Sequence, residues 1–407
     1  MARVILKQVP SSMPPLLLFD DGRSQMGPLT DLRPTWDLRT GILTNKERIE
    51  QTLGPVSGLI VGEHLAELVR ESSAVGVNDD AEFSGDVMLV NGSFSAAAAL
   101  PEISPGTILY DVTGRVVAAR VDGSESAAVM ASSEVESDPD RPRLLSTTPW
   151  DLLDDLEATL VSDAASSGQE WSPSAGVEII GDGGVLAHEG VRVDPGAVLD
   201  TRSGPIVLGR NASIATGAVV VGPCAIGDDS SVLVHGQIKA KTVIGPSCKV
   251  AGEIGGTIMQ GYANKSHAGH LGDSIIGEWV NLGAGTTNSN LLNTYGDIVM
   301  QLEPRGKRRR TRRQFMGAVI GDHVKFAIGS RIMTGTCVGT GAMFAASTLC
   351  RGVVDRFAWL TDSAPRVFRL DKFLEVASVV MERRGRSLTS AMVARLTALH
   401  EQTTGQD

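Results

Sequence analysis

The stretch that decides the fold is LGRNASIATGAVVVGPCAIGDDSSVLVHGQIKAKTVIGPSCKV, residues 208–250. An aliphatic residue recurs in it at every sixth position: Leu208, Ile214, Val220, Ile226, Val232, Ile238, Ile244 and Val250. Small or short side chains stand four residues after seven of these: Ala212, Ala218, Cys224, Ser230, Gly236, Thr242 and Cys248. This period is the hexapeptide repeat of a parallel β-helix, with three repeats to a triangular coil. The aliphatic residues are therefore predicted inside the coil and the small residues at its corners.

The period continues on both sides of this stretch and predicts an all-β domain over 177–360. It fails twice, over 255–273 and over 291–316. We predict that both segments leave the coil as loops. Loops that leave a rigid scaffold commonly carry its function.

The first 160 residues have no six-residue period. Short apolar runs alternate there with helical patterns, over 45–53 and 60–71, and a hairpin turn is expected at 111–114. This mixture favours an α/β domain over 1–160. The Ser-rich run 161–176 is predicted to be a linker.

The last part of the chain, 361–407, is predicted to be helical. Leu388, Met392, Leu396 and Leu399 form one stripe at helical spacing, and Gly385 separates it from an earlier helix. We expect this tail to cap the last coil or to pack on a neighbouring subunit.

Composition restricts the partners. The 407 residues carry a net charge of -10, which argues against nucleic acid as the main partner. The four cysteines have no pairing or metal-ligand spacing and are read as buried thiols of a reducing compartment. There is no export signal and no apolar run of membrane length, so a cytoplasmic protein without a membrane partner is expected.

The block GYANKSHAGHLGDSIIGEWVNLGAGTTNSN, residues 261–290, holds the candidate chemistry. His267 and His270 lie in its polar first part, and a neutral imidazole can take a proton from an attacking amine. Other polar side chains near it are able to bind a sugar or a phosphate: Lys249, Glu253, Asn264, Lys265, Asn281 and Asn290. The alternative is that the asparagines only satisfy turns of the solenoid.

Two further groups are candidate anion sites. Residues 305–313 contain seven cations in nine residues, and Arg308 and Arg309 are read as a phosphate clamp for CoA or a nucleotide sugar, or else as part of a solvated loop. Arg33, Asp37 and Arg39, together with Asn91, are candidates for a nucleotide site. They can equally form a buried ion-pair network at a domain interface.

The 261–290 block resembles the acetyltransferase region of the GlmU family, which makes UDP-N-acetylglucosamine. The segment LRPTWDLRTGILTNKER (32–48) and Pro149-Trp150-Asp151 are similar to divergent GlmU-like sugar nucleotidyltransferases. The resemblance implies a left-handed β-helix behind a nucleotidyltransferase-like domain. It also implies a homotrimer with active sites between adjacent solenoids.

The resemblance assigns roles to individual residues. His267 falls on the catalytic base that deprotonates the amino group of a sugar phosphate for attack on acetyl-CoA. Asn281 and Asn290 fall on positions that contact the sugar or the acyl donor. Gly283 and Ala284 fall on the acetyl-CoA side.

The chain also departs from the family pattern. The tyrosine three residues after the base is His270 here, and the lysine twelve residues before it is Gly255. The lysines that can substitute for it are Lys239, Lys241, Lys249 and Lys265. The Gly-rich phosphate loop is absent at 19–23. Asn91 replaces a metal-binding Asp and is a poorer Mg²⁺ ligand.

The sequence therefore predicts an acyltransferase that uses acetyl-CoA as co-substrate and acts on a glucosamine-1-phosphate-like sugar. Nucleotidyl transfer with Mg²⁺ in the N-terminal domain is a possible second activity. One alternative is a non-catalytic sugar-nucleotide-binding regulatory or scaffold protein. Another is a γ-type carbonic anhydrase with zinc on His235, His267 and His270, which the three-residue spacing of the last two disfavours.

Overall fold

The computed structural model describes residues 14–79, 83–131 and 135–405. An α/β domain is followed by a stack of short parallel strands of the kind typical of a left-handed β-helix, and then by two helices. The predicted fold class is confirmed.

The N-terminal domain is a six-stranded sheet with helices around it. In spatial order its strands are Gly76–Val77, Val56–Ile60, Leu16–Phe19, Asp86–Asn91, Val116–Asp122 and Thr107–Tyr110. The first four strands are parallel to one another. Val116–Asp122 runs antiparallel to both of its neighbours, Asp86–Asn91 and Thr107–Tyr110. The helices are α1 (Asn45–Leu53), α2 (Glu63–Ser72), α3 (Ser126–Ala131), α4 (Pro149–Asp154) and α5 (Leu156–Ala164), with 3-10 turns at Gly27–Thr30, Thr35–Asp37 and Gly123–Glu125.

The local signals of this domain act as expected. The predicted helix 45–53 is confirmed as α1, which starts behind a capping box between Thr44 and Glu47. The predicted helix 60–71 forms as α2, three residues later, because residues 56–60 belong to a strand. The predicted hairpin turn at 111–114 joins two antiparallel strands.

The coil has three sheets, one on each side of the triangle. The domain-side sheet contains Gln169–Glu170, Val185–Ala187, Ile206–Leu208, Cys224–Ile226, Thr242–Ile244, Ile258–Met259, Ile275–Ile276, Ala318–Ile320, Thr336–Val338 and Val353–Val354. The helix-side sheet contains Arg192–Val193, Ser213–Ile214, Ser231–Val232, Lys249–Val250, Asn264–Lys265, Asn281–Leu282, Lys325–Phe326, Met343–Phe344, Ala358–Leu360 and Arg366–Val367. The third sheet contains Glu178–Ile180, Val198–Asp200, Val219–Val221, Gln237–Ile238, Glu253–Gly255 and His270–Gly272.

The predicted interior of the coil is confirmed. All eight aliphatic residues of the opening stretch are buried and belong to one core cluster, and the small corner residues Ala212, Ala218, Cys224 and Cys248 are buried beside them. Burial raises the pKa of Cys224 and Cys248 to about 12, which keeps both thiols protonated.

The prediction that residues 255–273 leave the coil as an insertion is wrong. The coil continues through it with strands on all three sides. The repeat is hidden in the sequence for two reasons. The step between the inward residues Val250 and Ile254 is four residues long, and the steps from Ile254 to Met259 and from Leu271 to Ile276 are five residues long. In addition, a lysine, Lys265, stands at an inward position.

The second insertion does leave the coil. Thr287–Asn288 pairs with Arg331–Ile332, and between them Val299–Met300 and Arg309–Arg310 form an antiparallel pair. The side chains of Ile298, Met300 and Met316 are buried against the N-terminal domain. The insertion therefore helps to fasten the two domains together.

The two domains share a continuous apolar interface. Trp150 of α4 and Leu156 and Leu160 of α5 belong to the same buried cluster as outward residues of the domain-side sheet such as Val243 and Ile258. The segment predicted as a linker, 161–176, is largely ordered: α5 runs to Ala164, and Gln169–Glu170 pairs with Val185–Ala187.

The C-terminal tail forms α6 (Leu370–Glu382) and α7 (Ser390–Thr404), divided by Gly385 in a left-handed conformation. The predicted stripe is confirmed, with Leu396 and Leu399 buried. The helices lie against the side of their own coil, where Phe373 contacts Phe357. Within the part of the chain that the structure describes, no helix has both the length and the apolarity to span a bilayer.

Candidate active site

Four polar side chains form a ladder on the outside of the helix-side sheet. Lys249 pairs with Asn264, Asn264 with Asn281, and Asn281 with Lys325 on successive coils. Neighbouring strands lie about 4.8 Å apart, so these side chains form a row rather than a scattered set. The row has a cation at each end and two amides between them.

This ladder is one wall of a cavity of about 600 Å³. The cavity is lined by Lys249, Tyr262, Asn264, Ser266, His267, Trp279, Val280, Asn281, Leu282, Gly283, Ala284, Lys325, Ile328, Val380, Arg383 and Arg384. Six of these residues were predicted from the sequence: His267, Lys249, Asn264, Asn281, Gly283 and Ala284. The lining contains four basic side chains and no carboxylate, so the cavity suits an anionic ligand. Burial lowers the pKa of one of them, Lys325, to about 8.

The end of α6 supplies residues that the sequence reasoning missed. Arg383 and Arg384 line the cavity, and Arg384 Nη2 donates to Asn264 Oδ1 at 2.9 Å. This bond uses the amide oxygen of Asn264 and leaves its NH₂ group as a donor. The run Arg383-Arg384-Gly385-Arg386 at the end of a predicted helix was the available signal, but only the tertiary fold brings it to the ladder.

A column of aromatic residues closes one end of the cavity. Tyr262, Trp279 and His323 stand at successive corners in the left-handed conformation. Tyr262 stacks on Trp279 at 4.3 Å, and Trp279 on His323 at 6.1 Å between ring centroids. Phe373 of α6 meets His323 edge-on at 5.8 Å, so this column anchors the helix that carries the two arginines.

His323 is an unfavourable member of this column. It is 3% exposed, and neither ring nitrogen has a hydrogen-bond partner among the described residues. Burial lowers the pKa of His323 well below its usual value, and the positive charges of Lys325 and Arg33 lower it further. The ring is therefore neutral. Replacing it with phenylalanine removes two buried unpaired nitrogens at a kind of corner where Phe357 is already tolerated.

We therefore expect His323→Phe to stabilise the protein, and more so in acid. The unfolded chain's histidine binds a proton as the pH falls below about 6.5, whereas the folded one does not, so the native protein loses stability there. The gain from the substitution should be about 1 kcal/mol larger near pH 5.5 than near pH 7.5, measured by urea unfolding. His188→Gln, at an exposed histidine, is the control. A gain that is constant with pH would contradict the assignment.

His267 lies at the edge of the cavity on the corner after Asn264–Lys265. Its side chain is exposed, and within the described residues the imidazole makes no hydrogen bond. Both ring nitrogens are thus available to a ligand.

Several predicted site residues lie elsewhere. His270 Nδ1 is 3.4 Å from Glu253 Oε1, which also binds Lys239, and these residues belong to the third sheet and not to the cavity. Asn290 donates to Asp273 Oδ2 at 2.7 Å, away from the cavity lining. Lys265 was expected to bind substrate, but it is 1% exposed and lies inside the coil.

Arg308 and Arg309 do not reach the cavity either. They are exposed and lie in the antiparallel hairpin of the second insertion. Arg313, at the end of the same basic run, pairs with Asp154 of α4 and thus with the other domain. The basic run is divided between a solvated tip and a domain contact.

Comparisons with known proteins bear on both domains. Residues 16–170 match the family model described as sugar nucleotidyl transferase. The N-terminal domain is therefore similar to the sugar nucleotidyl transferase family over these residues. This agrees with the resemblance seen in the segment 32–48.

Curated relatives extend the resemblance. The bifunctional protein GlmU of Methanococcus vannielii is 34% identical over 129 residues, 32% of this chain and 28% of that protein. The bifunctional sugar-1-phosphate nucleotidylyltransferase/acetyltransferase of Sulfurisphaera tokodaii is 30% identical over 145 residues, 34% of this chain and 35% of that protein. The chain thus spans about a third of the length of these relatives. The predicted similarity to GlmU-like proteins is confirmed.

Among solved structures, the UDP-N-acetylglucosamine acyltransferase of Francisella novicida is similar at 12% identity, with a TM-score of 0.37, over 56% of this chain and 78% of that chain. The N-acyltransferase AntD of Bacillus cereus, solved with dTDP and 3-hydroxybutyryl-CoA, is similar at 15% identity and a TM-score of 0.22, over 54% of this chain and 99% of that one.

In the N-terminal domain, the four predicted nucleotide-site residues do not share one site. Arg33 pairs with Asp322 of the coil at 2.9 Å. The backbone N–H of Arg39 donates to Gln260 Oε1, and Gln260 Nε2 donates to the backbone carbonyl of Arg39. Burial raises the pKa of Asp37 to about 6, against the opposing effects of Lys46 and Arg33. Arg33 therefore joins the domains by an ion pair, as the ion-pair alternative predicted, whereas Arg39 joins them through its backbone.

Asn91 lies in the centre of the domain sheet's carboxyl edge. It is buried, and its Nδ2 donates to Val116 O at 3.0 Å and to Asp21 Oδ2 at 3.3 Å. Asp21 forms a buried ion pair with Arg115 at 2.6 Å. This edge is closed by internal contacts.

The same contacts bear on Mg²⁺. Both oxygens of Asp20 accept hydrogen bonds from Gly22 and Thr35, and both oxygens of Asp21 accept from Arg115. Each oxygen of these two carboxylates therefore already has a protein donor, and the charge of Asp21 is paired with Arg115. Within residues 14–79, 83–131 and 135–405, no cluster of three or more His, Cys, Asp or Glu side chains suits a metal ion.

Proposed function

We propose that the protein is an acyltransferase that moves the acyl group of acetyl-CoA to the amino group of a sugar phosphate. The observation that carries this proposal is the cavity on the helix-side sheet, which combines a histidine free to accept a proton with four cations and no carboxylate. The similarity to proteins named as GlmU and as sugar-1-phosphate acetyltransferase supports the same substrate class.

In this proposal His267 is the general base. It takes a proton from the sugar's neutral amine nitrogen as that nitrogen attacks the thioester carbonyl carbon. The C–N bond forms, the C–S bond breaks, and the CoA thiolate takes up the proton that the imidazole held. Since the imidazole has no carboxylate partner among the described residues, it depends on its backbone for orientation.

The remaining residues bind the substrates. Lys249 and Arg384 lie near Asn264 and provide cations for the sugar phosphate. Asn264 and Asn281 offer amide groups to sugar hydroxyls. Gly283 and Ala284, with Lys325 beyond Asn281, form the side proposed for acetyl-CoA. The product class points to UDP-N-acetylglucosamine or related nucleotide-sugar biosynthesis.

The test supplies acetyl-CoA with glucosamine-1-phosphate, and with glucosamine as a matched acceptor that lacks the phosphate. CoA release is followed with a thiol reagent. We expect turnover with the phosphorylated sugar and a much higher KM without the phosphate. Tight binding of a sugar nucleotide without turnover on any amino-sugar phosphate would favour the non-catalytic scaffold instead.

Nucleotidyl transfer by the N-terminal domain is the second candidate, because residues 16–170 match the sugar nucleotidyl transferase family. Pyrophosphate release from UTP and N-acetylglucosamine-1-phosphate, with Mg²⁺ added, tests it.

The proposal also includes a homotrimer, implied by the resemblance to the GlmU family, in which a second copy completes each site. The molar mass in solution tests that part.

A further inference from the structure

Lys265 stands where the repeat calls for an aliphatic residue. In the helix-side sheet it is in register with Val250, and the same inward column contains Ile214 and Val232 below it. Its side chain is 1% exposed and is among the largest fully buried side chains of the protein. Burying an ammonium group in a dry coil is costly unless it is hydrogen-bonded, so a specific contact is required.

That contact is the corner that carries His267. Lys265 Nζ donates to the backbone carbonyl of His267 and, at 3.2 Å, to that of Ala268. Burial lowers the pKa of Lys265 to about 8, which leaves it mainly protonated at neutral pH. A charged donor on two adjacent carbonyls is stronger than the neutral bonds of an ordinary turn.

The coils below and above leave this corner little room. A methyl group added at Gly252, on the coil below, would lie 2.8 Å from the carbonyl oxygen of His267. A methyl group added at Gly269 would lie 2.1 Å from the carbonyl oxygen of Thr286, on the coil above. The backbone of this corner is therefore closely packed between the two neighbouring coils, and Lys265 donates to it from inside the coil.

We propose that Lys265 is a positioning residue, which fixes the 266–269 corner from within the solenoid and so directs the imidazole of His267 into the cavity. The inference rests on the proposed role of His267 as the base. It explains why a lysine stands in the otherwise aliphatic inward column of the helix-side sheet. The orientation of a base without a side-chain partner is set by its backbone. A small shift of this backbone therefore moves the imidazole of His267 away from the amine.

The test is Lys265→Met, which keeps the length of the side chain and removes the donor. We expect kcat to fall about tenfold or more while KM for both substrates changes little, since the cavity walls remain. The control is Ile214→Ala, three strands lower in the same inward column, which loses buried volume without touching the corner. Both variants are compared at temperatures equally far below their own melting points. If Lys265→Met loses no more kcat than Ile214→Ala, the positioning role is refuted.

A second measurement does not depend on turnover. The amides of Glu253 and His270 donate to Gly269 O and to Thr287 Oγ1 at this corner, and their hydrogen exchange should become at least tenfold faster in Lys265→Met, with the rest of the coil unchanged. Should His267→Ala leave turnover intact, the proposed base is wrong, while the exchange rates still decide whether Lys265 fixes the corner. If Lys265→Met does not fold, Lys265→Gln, which retains one shorter donor, takes its place with the same expected signs. Unchanged exchange at the corner in a folded variant would refute the inference.

Discussion

Replacing His267 with alanine is expected to lower the rate of CoA release by about 10²-fold or more, the size of effect that a general base contributes. His267 is the histidine that lines the cation-rich cavity, and its ring nitrogens are free of hydrogen bonds to the described residues. KM for the sugar phosphate should change little, because the cations that bind the phosphate remain. Steady-state kinetics with both substrates varied provide the measurement.

The matched comparison is His270→Ala. The two histidines are three residues apart, yet His270 pairs with Glu253 on the third sheet. Its loss should cost turnover far less than the loss of His267. His188→Ala, at an exposed histidine near the start of the coil, controls for a general effect of removing an imidazole. If His270→Ala costs more than His267→Ala, the base has been assigned to the wrong side of the coil.

The second large effect is expected from the arginines of α6. The double change Arg383→Ala and Arg384→Ala should raise KM for a phosphate-bearing substrate about tenfold to a hundredfold and leave kcat nearly unchanged. A hydrogen bond between a guanidinium and a charged group contributes about 1.5–3 kcal/mol, and 1.4 kcal/mol corresponds to a factor of ten. Measuring KM for acetyl-CoA and for the sugar phosphate separately shows whose phosphate these arginines bind.

Arg308→Ala with Arg309→Ala is the contrasting pair. It removes the same number of positive charges, from the exposed hairpin where the sequence placed a phosphate clamp. The structure predicts that this pair leaves both KM values within about twofold, because electrostatic effects of exposed charges are screened beyond about 10 Å. An unchanged KM after loss of Arg383 and Arg384, with a raised KM after loss of Arg308 and Arg309, would reverse the assignment.

Local signals in the sequence were sufficient for much of the architecture. The six-residue period predicts the coil and its interior because each repeat unit carries its own inward residue, independently of the rest of the chain. The start of α1 follows from the Thr44–Glu47 capping box, which is equally local. The period was lost over 255–273 because three short steps and an inward lysine do not look like a repeat, although the strands continue.

The candidate site was only partly visible. Lys249, Asn264, Asn281 and His267 belong to consecutive coils, so the repeat itself brings them together. Arg384 is 120 residues from Asn264 in the chain, and no local pattern relates the two. Likewise, a one-position offset within a strand separates Asn264, which faces the cavity, from Lys265, which faces the interior.

The sequence thus predicts the coil, its interior and the histidine at the corner, because short-range periodicity and chain order specify them. It does not predict which charges meet. The docking of α6 on the aromatic column and of the N-terminal domain on the domain-side sheet depends on apolar surfaces that are distant in the chain and have no sequence period in common. These long-range contacts bring Arg383 and Arg384 to the ladder and bind Arg33 to Asp322. Because of these contacts, Arg383 and Arg384 line a cavity, whereas Arg33 lies at a domain interface.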